Sequence, residues 1–465
     1  MESPLSPPSP CPIGNLPYDV LREIFTHCVP LHPRERNDGE YIFNNTPVVL
    51  SHVCSSWRVV AHSSPILWCY LSYRVILEDP GTRWLVRKRD VELIRWWRER
   101  HGGLHPFVVM DAVFWEPVEQ DQLADEDAVA YILEYLTSAQ YLDIDLTFWD
   151  ELNYRKLACP NLHTLVLDGH EDYDLEAAFW NAQSVISLVA GSPLRRLSLY
   201  DGSLYQENSP GFHETWASLT HIALQSVTIS LDFWFNLFSA VPALQWAYAN
   251  ISEVEVEHEN SVCCVMSQLS SLFLITRDCD ISVALSGLRL PALRTLSISS
   301  TYMTRETERA VDLLHQILKT APKITTLALG EYLLSVDGRN FNFSSTTNLS
   351  LRGAVPLWKN TPHLTHLYLE RPFHYSVTTE DAEYKLQEFS EHVFLTRADW
   401  LGLDKSECPI STVTLVDVEI EKVGDAILSL CGELGERSGN ISVQFAKTSL
   451  DQQAWESVKE WGSMI

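Results

Sequence analysis

Two histidines three residues apart, His363 and His366, are the nearest approach to a metal-ligand pair in this chain. Their phrase, HLTHLYL, reads as a strand, where side chains alternate between faces, so residues three apart point to opposite sides. Shared ligation would need a bend, and solvated strand histidines are the better reading. Cys263 and Cys264 are adjacent thiols with no CxxC partner nearby, and packed thiols are expected. Glu253, Glu255, Glu257 and Glu259 alternate and so share one face. Like charges crowded without counter-charges describe a solvated strand rather than an acid/base dyad. Neither a G-x-x-x-x-G-K-[ST] loop nor a G-x-G-x-x-G string occurs, nor a G-x-S-x-G elbow or an H-E-x-x-H helix. Gly432, Gly435 and Gly439 are spaced too loosely for phosphate work. The expectation is a chain with no catalytic residues, metal or cofactor, which works by binding.

The stretch RWLVRKRDVELIRWWRER interleaves arginine with Trp84, Trp96 and Trp97, a mixture that suits nucleic acid. Helical spacing gives it another role. Val91, Leu93, Ile94 and Trp97 mark a buried stripe, with Arg95, Arg98 and Arg100 solvated, and the helix is expected to pack against what precedes it. Residues 1–103 are close to neutral, so essentially all of the net charge of −27 lies beyond them. So acidic a surface repels phosphate backbones and argues against nucleic acid, while favouring a basic or neutral protein client. No run of eighteen apolar residues exists, so no membrane partner is expected. The start, MESPLSPPSPCPIGN, has neither a basic n-region nor an apolar h-region; residues 1–15 read as a disordered Pro/Ser-rich tail, not a signal peptide. Ten cysteines without paired spacing fit a reduced cytoplasmic or nuclear compartment.

The elements that would carry a binding surface are written in a repeated phrase, L-x-x-L-x-L. It occurs at Leu162, Leu194, Leu219, Leu244, Leu269, Leu293, Ile324, Leu364 and Ile410, with weaker copies at Leu104 and Ala139. From Leu194 to Leu293 the spacing is 24–25 residues, within the leucine-rich-repeat range. Helical periodicity fills several gaps: VELIRWWRER, SVISLVA, DFWFNLFSAV, ERAVDLLHQILKTA, EYKLQEFSEHVFLTRADWL and DAILSLCGELGER. SEVEVEHENSVCCVM lacks that period and reads as extended or irregular. A strand–helix unit cannot bury its apolar face alone, so units must stack. The asparagine or cysteine usual after the last leucine is missing; His170, Gly202, Val227, Ser252 and Arg277 stand there. The expected fold class is α/β, with residues 76–465 forming an irregular, leucine-rich-repeat-like solenoid around a curved, mostly parallel sheet.

Residues 16–75 are different. Leu16-Pro17 opens a helix carrying Val20, Leu21, Ile24 and Phe25, which stops before Pro30. A second helix is expected to carry Val49, Leu50, Val53, Cys54, Trp57, Val60 and Ala61 on one face. Ser64 then caps a short turn with Pro65 at its first position, presenting Ile66, Leu67 and Trp68. The LP pair, the IF pair, the VC-x-x-W-R segment and the P-x-L-W end, in this order, resemble the F-box. Compact F-boxes lack the polar insertion at 31–46, which is similar to those of the large F-box families of mushroom-forming fungi. The resemblance implies docking to the Skp-family adaptor of a cullin complex through Leu16, Pro17, Leu21, Ile24, Val53, Trp57 and Trp68.

With the repeats beyond it, the chain resembles the F-box/leucine-rich-repeat substrate receptors. That implies a substrate-recognition subunit of an SCF-type ubiquitin ligase with a protein client on the solenoid; a scaffold that holds the adaptor without client ubiquitination is the alternative. In each L-x-x-L-x-L strand the last two leucines point inward, so the residues flanking them face the concave side. Aromatic side chains there are the usual interface anchors. The expected client surface comprises Tyr200, His221, Gln225, Trp246, Tyr248, Phe273 and Tyr368, centred on Trp246 and Tyr248. The C-terminal helix expected at 451–461 and the 31–46 insertion are the next surfaces to consider.

Overall fold

A computed structural model describes residues 16–29, 46–77, 84–85, 88–114, 126–145, 158–168, 179–181, 189, 191–205, 216–255, 264–277, 284–285, 287–300, 307–330, 363–370, 411–417, 442–459 and 461. The chain divides into two compact units, one of residues 1–173 with 187–194 and 459–465, the other of 174–186 with 195–458. The architecture is α/β with mostly parallel strands, and eight α-helices lie among the described residues. The expected tail at 1–15, the insertion except Thr46, and the helices expected in SVISLVA, EYKLQEFSEHVFLTRADWL and DAILSLCGELGER lie outside the described residues, Val189 apart.

In the first unit, α1 (Tyr18–Cys28) starts one residue after Pro17, whose carbonyl accepts from the Leu21 N–H at 3.1 Å. Leu21 and Phe25 bury its inner face. The single second helix expected from sequence is two, α2 (Thr46–Val53) and α3 (Ser55–His62). Cys54 breaks it by turning extended (φ −158°, ψ 172°), and its Sγ accepts from the Trp57 N–H at 3.5 Å, capping α3. Arg58 Nε spans the break to the Ser51 carbonyl at 2.9 Å, so α2 does not end on an orphaned acceptor. The break also scatters the apolar positions: Leu50, Val60 and Ala61 are buried, whereas Val49 and Val53 are exposed. Ser64 does not cap the following 3-10 turn (Pro65–Trp68); its Oγ donates to the Val60 carbonyl at the end of α3, at 2.7 Å.

Two strands follow, β1 (Tyr70–Leu77) and β2 (Trp84–Leu85), then α4 (Lys88–Arg100), β3 (Phe107–Phe114), α5 (Glu126–Thr137), β4 (Tyr141–Asp145) and β5 (Thr164–Asp168). β1 was not expected, and it pairs in parallel with β3 along its whole length, so the sheet begins before the boundary drawn between 75 and 76. β1–β3–β4–β5 are parallel, and only β2 runs antiparallel, against β1. Cys69, Phe107, Val109, Tyr141 and Val166 form one core cluster, with Tyr70 stacked on Phe107 at 4.6 Å. Burial pushes the Cys69 thiol up to about 12, the behaviour of a packed rather than reactive cysteine.

In the second unit, β6 (Phe179–Asn181) pairs with β7 (Arg196–Tyr205), followed by β8 (His221–Ser230), α6 (Leu231–Ala240) and β9 (Trp246–Glu255). Next come β10 (Cys264–Val265), β11 (Ser271–Thr276), β12 (Leu288–Arg289), β13 (Thr295–Ser300), α7 (Thr307–Thr320) and β14 (Thr326–Leu329). The unit closes with β15 (His366–Glu370), β16 (Thr412–Val416), β17 (Ser442–Ala446) and α8 (Leu450–Lys459). From β7 to β17 the large sheet runs in chain order and wholly parallel, while β10 and β12 form a separate parallel pair. All nine repeated phrases are therefore strands with parallel neighbours. Their inward leucines and the residues in their place, such as Leu197, Leu199, Ile222, Leu224, Leu272, Leu274, Leu296 and Ile298, are buried.

A hydrogen-bond motif repeats with the phrases. In the large sheet from β8 to β16, the residue before each strand and its first residue both donate to one carbonyl of the preceding repeat, as Thr220 and His221 do to Arg195 at 2.9 and 3.0 Å. Where that position holds Ser or Thr, its hydroxyl adds a further bond to the preceding repeat. Thr220 reaches the Arg195 carbonyl at 3.1 Å, Ser270 the Gln245 carbonyl at 2.8 Å, and Thr325 the Arg294 carbonyl at 3.2 Å. Thr365 and Ser411 continue the row to the carbonyls of Thr325 and Thr365. This hydroxyl row, unforeseen in sequence, occupies the start of the strands, where the missing asparagine ladder would follow their ends.

Candidate partner-binding surfaces

The helices of the first unit present an open apolar surface. Seven of the ten large hydrophobic side chains exposed among the described residues are Tyr18, Val20, Ile24, Val49, Val53, Val59 and Ile66, all on α1 to the 3-10 turn. Single exposed apolar residues are ordinary, whereas seven on four consecutive elements are an unusual concentration. Of the residues expected to meet the adaptor, Ile24, Val53 and Pro17 are exposed and Leu16 and Trp57 half-buried, with the Trp57 ring 4.9 Å from Phe25. Leu21 and Trp68 are not available to a partner. Leu21 faces the interior, and Trp68, fully buried, donates from Nε1 to the Ala61 carbonyl at 2.8 Å.

Trp68 is held by α4, edge to face with Trp96 at 4.7 Å and Trp97 at 4.9 Å. The buried stripe of α4 is as expected for Val91, Ile94 and Trp97, with Leu93 half-buried. Arg95 is exposed as expected, and Arg98 and Arg100 are half-buried. Arg100 lies 3.7 Å over the Trp96 ring, and Arg98 pairs with Glu134 of α5 at 3.0 Å.

In the second unit, strand register lays the expected client residues out in three rows on one face. His221 and Trp246 share the first row, Tyr248, Phe273 and Tyr368 the second, and Tyr200 and Gln225 the third, where Asn250 joins them. A bulge at Ser226, held at φ 54°, follows Gln225 and lets β8 keep pace with β9. Trp246 stacks between His221 at 6.1 Å and Tyr248 at 6.4 Å, with Phe273 tilted against it at 5.7 Å. Burial, reinforced by the Arg196 charge, holds the His221 imidazole down to about 4, so it is neutral at physiological pH.

This face is not open as expected. Tyr248 and Phe273 are buried, and Tyr200, His221, Gln225, Trp246 and Tyr368 are half-buried. One cover is identifiable. Trp455 of α8 lies against Tyr200 (5.9 Å, 24° between planes) and Tyr248 (5.4 Å, 34°). Ala454 and Val458, one turn apart, are buried beside it. Burial first, then the Asp451 carboxylate, push the Tyr248 hydroxyl well above its ordinary range. In the same rows, Ser198 Oγ, Gln225 Oε1, Asn250 Oδ1 and Ser297 Oγ are buried without a hydrogen-bond partner, although the Asn250 side chain also engages the Tyr248 hydroxyl.

Among the described residues, the remaining chemistry-bearing side chains gather no site. His363 and His366 are exposed, and His366 Nδ1 sits 2.9 Å from the Thr365 hydroxyl. Among the described residues no group of three metal-ligating side chains exists, and no helix is long and apolar enough to cross a membrane. Cys264 is buried against Ser239 and Met266, while Cys263, Glu257, Glu259 and the three glycines from Gly432 lie outside the described residues. No protein-family model matches this sequence, and comparison with curated proteins finds no match.

Proposed function

We propose that this chain is the substrate-recognition subunit of an SCF-type cullin-RING ubiquitin ligase. Residues 16–70 act as an F-box that holds the Skp-family adaptor, and the leucine-rich-repeat-like array of the second unit presents a protein client. The observation that carries the reading is the apolar face left open on α1, α2 and α3, in a chain whose motif order there is that of the F-box. The docking set differs from the one expected: Ile24, Val53, Pro17, Leu16 and Trp57 stay in it, Leu21 and Trp68 leave it as core residues, and Tyr18, Val20, Val49, Val59 and Ile66 join it.

The parallel strands, each stapled to the carbonyl of the repeat before, support an irregular solenoid whose aromatic rows receive the client. No chemistry is required of the chain beyond holding a client near the ligase's conjugating enzyme. Pull-down with purified adaptor tests the first half: the chain captures it, and Ile24→Asp with Val53→Asp does not. Undiminished capture by that folded double variant sinks the F-box assignment. Client-dependent ubiquitination in the reconstituted ligase tests the second half, and its absence despite adaptor binding leaves a scaffold.

A further inference from the structure

We propose that the sheet face at Tyr200, Tyr248 and Asn250 is a receptor site for a short acidic helix bearing one aromatic residue, and that α8 of this chain is its resident competitor. The proposal rests on reading this face as the client surface, and adds to that reading the kind of client segment and its regulation.

That the site accepts a helix is visible, because a helix occupies it. Trp455 supplies the ring that meets Tyr200 and Tyr248, with Ala454 and Val458 buried alongside. Asp451 stands one turn before Trp455, close enough to Tyr248 to act on its hydroxyl. Arg277 acts on the Tyr248 hydroxyl, and Arg196 acts on His221, which neighbours Trp246 on the same face. The cradle is thus locally basic within a strongly acidic chain, and an acidic residue four before an aromatic one matches it. A basic client body and an acidic docking helix are compatible demands on one partner.

Two observations make α8 a displaceable occupant rather than a fixed wall. First, Gln225 Oε1 and Ser198 Oγ stay buried and unpartnered with α8 in place, while the Asn250 side chain is engaged by the Tyr248 hydroxyl. Desolvated polar atoms left without partners are an unmet demand, and a segment able to satisfy them binds better than one that cannot. Second, α8 carries its own start signal. Ser449 Oγ accepts from the Gln452 N–H at 3.2 Å, and Gln452 Oε1 accepts from the Ser449 N–H at 3.2 Å, a reciprocal capping box. Its N-terminal boundary is set from within, so its helical form does not depend on the sheet face to start it.

The test uses a fluorescent synthetic peptide of residues 447–465 and the full-length chain. In the wild type the site is filled in cis, so the peptide binds weakly. Full-length Trp455→Ala should bind it about tenfold more tightly or better, as expected when an internal competitor is removed. Adding Tyr200→Ala should cancel the gain, and a peptide lacking its own Trp455 should not bind. A folded Trp455→Ala chain that binds the peptide no better than wild type overturns the proposal.

Hydrogen exchange on the unaltered chain decides the matter even where Trp455→Ala fails to fold. Amides of 450–458 should exchange about tenfold or more faster than those of Trp246–Ile251, and equal rates overturn the proposal. Failure of the client reading looks different. Clients captured by proximity labelling that are unchanged by Tyr200→Ala remove the client from this face, while peptide binding still reports what the cradle accepts.

Discussion

The helices from Tyr18 to Ile66 and the sheet face around Tyr248 both concentrate large apolar side chains, yet in one they stand in solvent and in the other they are covered. Val53 is 56% exposed and Tyr18 60%, whereas Tyr248 is 3% exposed beneath Trp455. An uncovered apolar face costs free energy at every moment it lacks a partner, so it suits a surface that is rarely empty. A covered face can be exposed on demand, at the cost of displacing its cover. Under the proposed function, the contrast assigns a constitutive partner to the first surface and a conditional one to the second.

The largest effects should come from side chains that support the open face without belonging to it. Trp68→Ala removes a fully buried ring that touches Trp96 and Trp97 and a 2.8 Å hydrogen bond to Ala61. The expected loss is about 3–5 kcal/mol, enough to unfold the helical start, read as a shift in the urea midpoint. Ile24→Asp with Val53→Asp should leave that midpoint within about 0.5 kcal/mol. Their effect is on adaptor capture, where truncated or charged anchors cost about 2–4 kcal/mol at an interface centre. Should the aspartates unfold the chain and Trp68→Ala merely weaken capture, the division between core and docking residues drawn here is reversed.

A smaller, pH-dependent effect separates the covered face from the open one. The unfolded chain protonates His221 near 6.5, but the folded chain only near 4, because burial and Arg196 disfavour the imidazolium. Stability from this group is therefore complete above about pH 6.5 and is lost as the pH falls from there toward 4. His221→Gln should flatten the fall of melting temperature between pH 7 and 4.5. A variant that tracks the wild type throughout would assign the acid sensitivity to other groups, such as His62 and His101, which burial also holds low.

What was legible in sequence follows from what period and composition can encode. The nine phrases became nine strands because alternating leucines state both the strand and its inward face. The break at Cys54 is not legible because six apolar neighbours at helical spacing outweigh one residue free to turn extended and cap with sulfur. β1 was missed because YLSYRVIL follows the P-x-L-W end directly and was absorbed into the helical module. α5 was missed although Ile132, Leu133 and Leu136 recur at helical spacing and are buried. The three rows of the candidate site could be named residue by residue, since parallel register preserves the offset within each phrase. Their cover could not, because Trp455 reaches Tyr200 and Tyr248 across about two hundred residues and no local pattern records such a contact. Asp451 to Trp461 read as a helix in sequence, but its destination did not.

The smallest predicted effect concerns the hydroxyls that stand where strands begin. Thr325 Oγ1 donates to the Arg294 carbonyl at 3.2 Å, and that carbonyl already accepts the Thr325 and Thr326 N–H groups at 2.8 and 3.0 Å. The hydroxyl is thus a third donor to one oxygen, and it is exposed, so water replaces it readily. Thr325→Val keeps the β-branched shape and should cost about 0.5–1 kcal/mol, near the net value of one hydrogen bond. The row as a whole is more informative than any member. Repeats interact mainly with their neighbours, so losses at Thr220, Ser270 and Thr325 should add, each staple acting on its own pair of strands. Additive loss across the triple valine variant, measured by urea denaturation of the full chain, would show the staples to be independent. A triple variant much worse than the sum would instead mean that the second unit's strand starts are ordered as one.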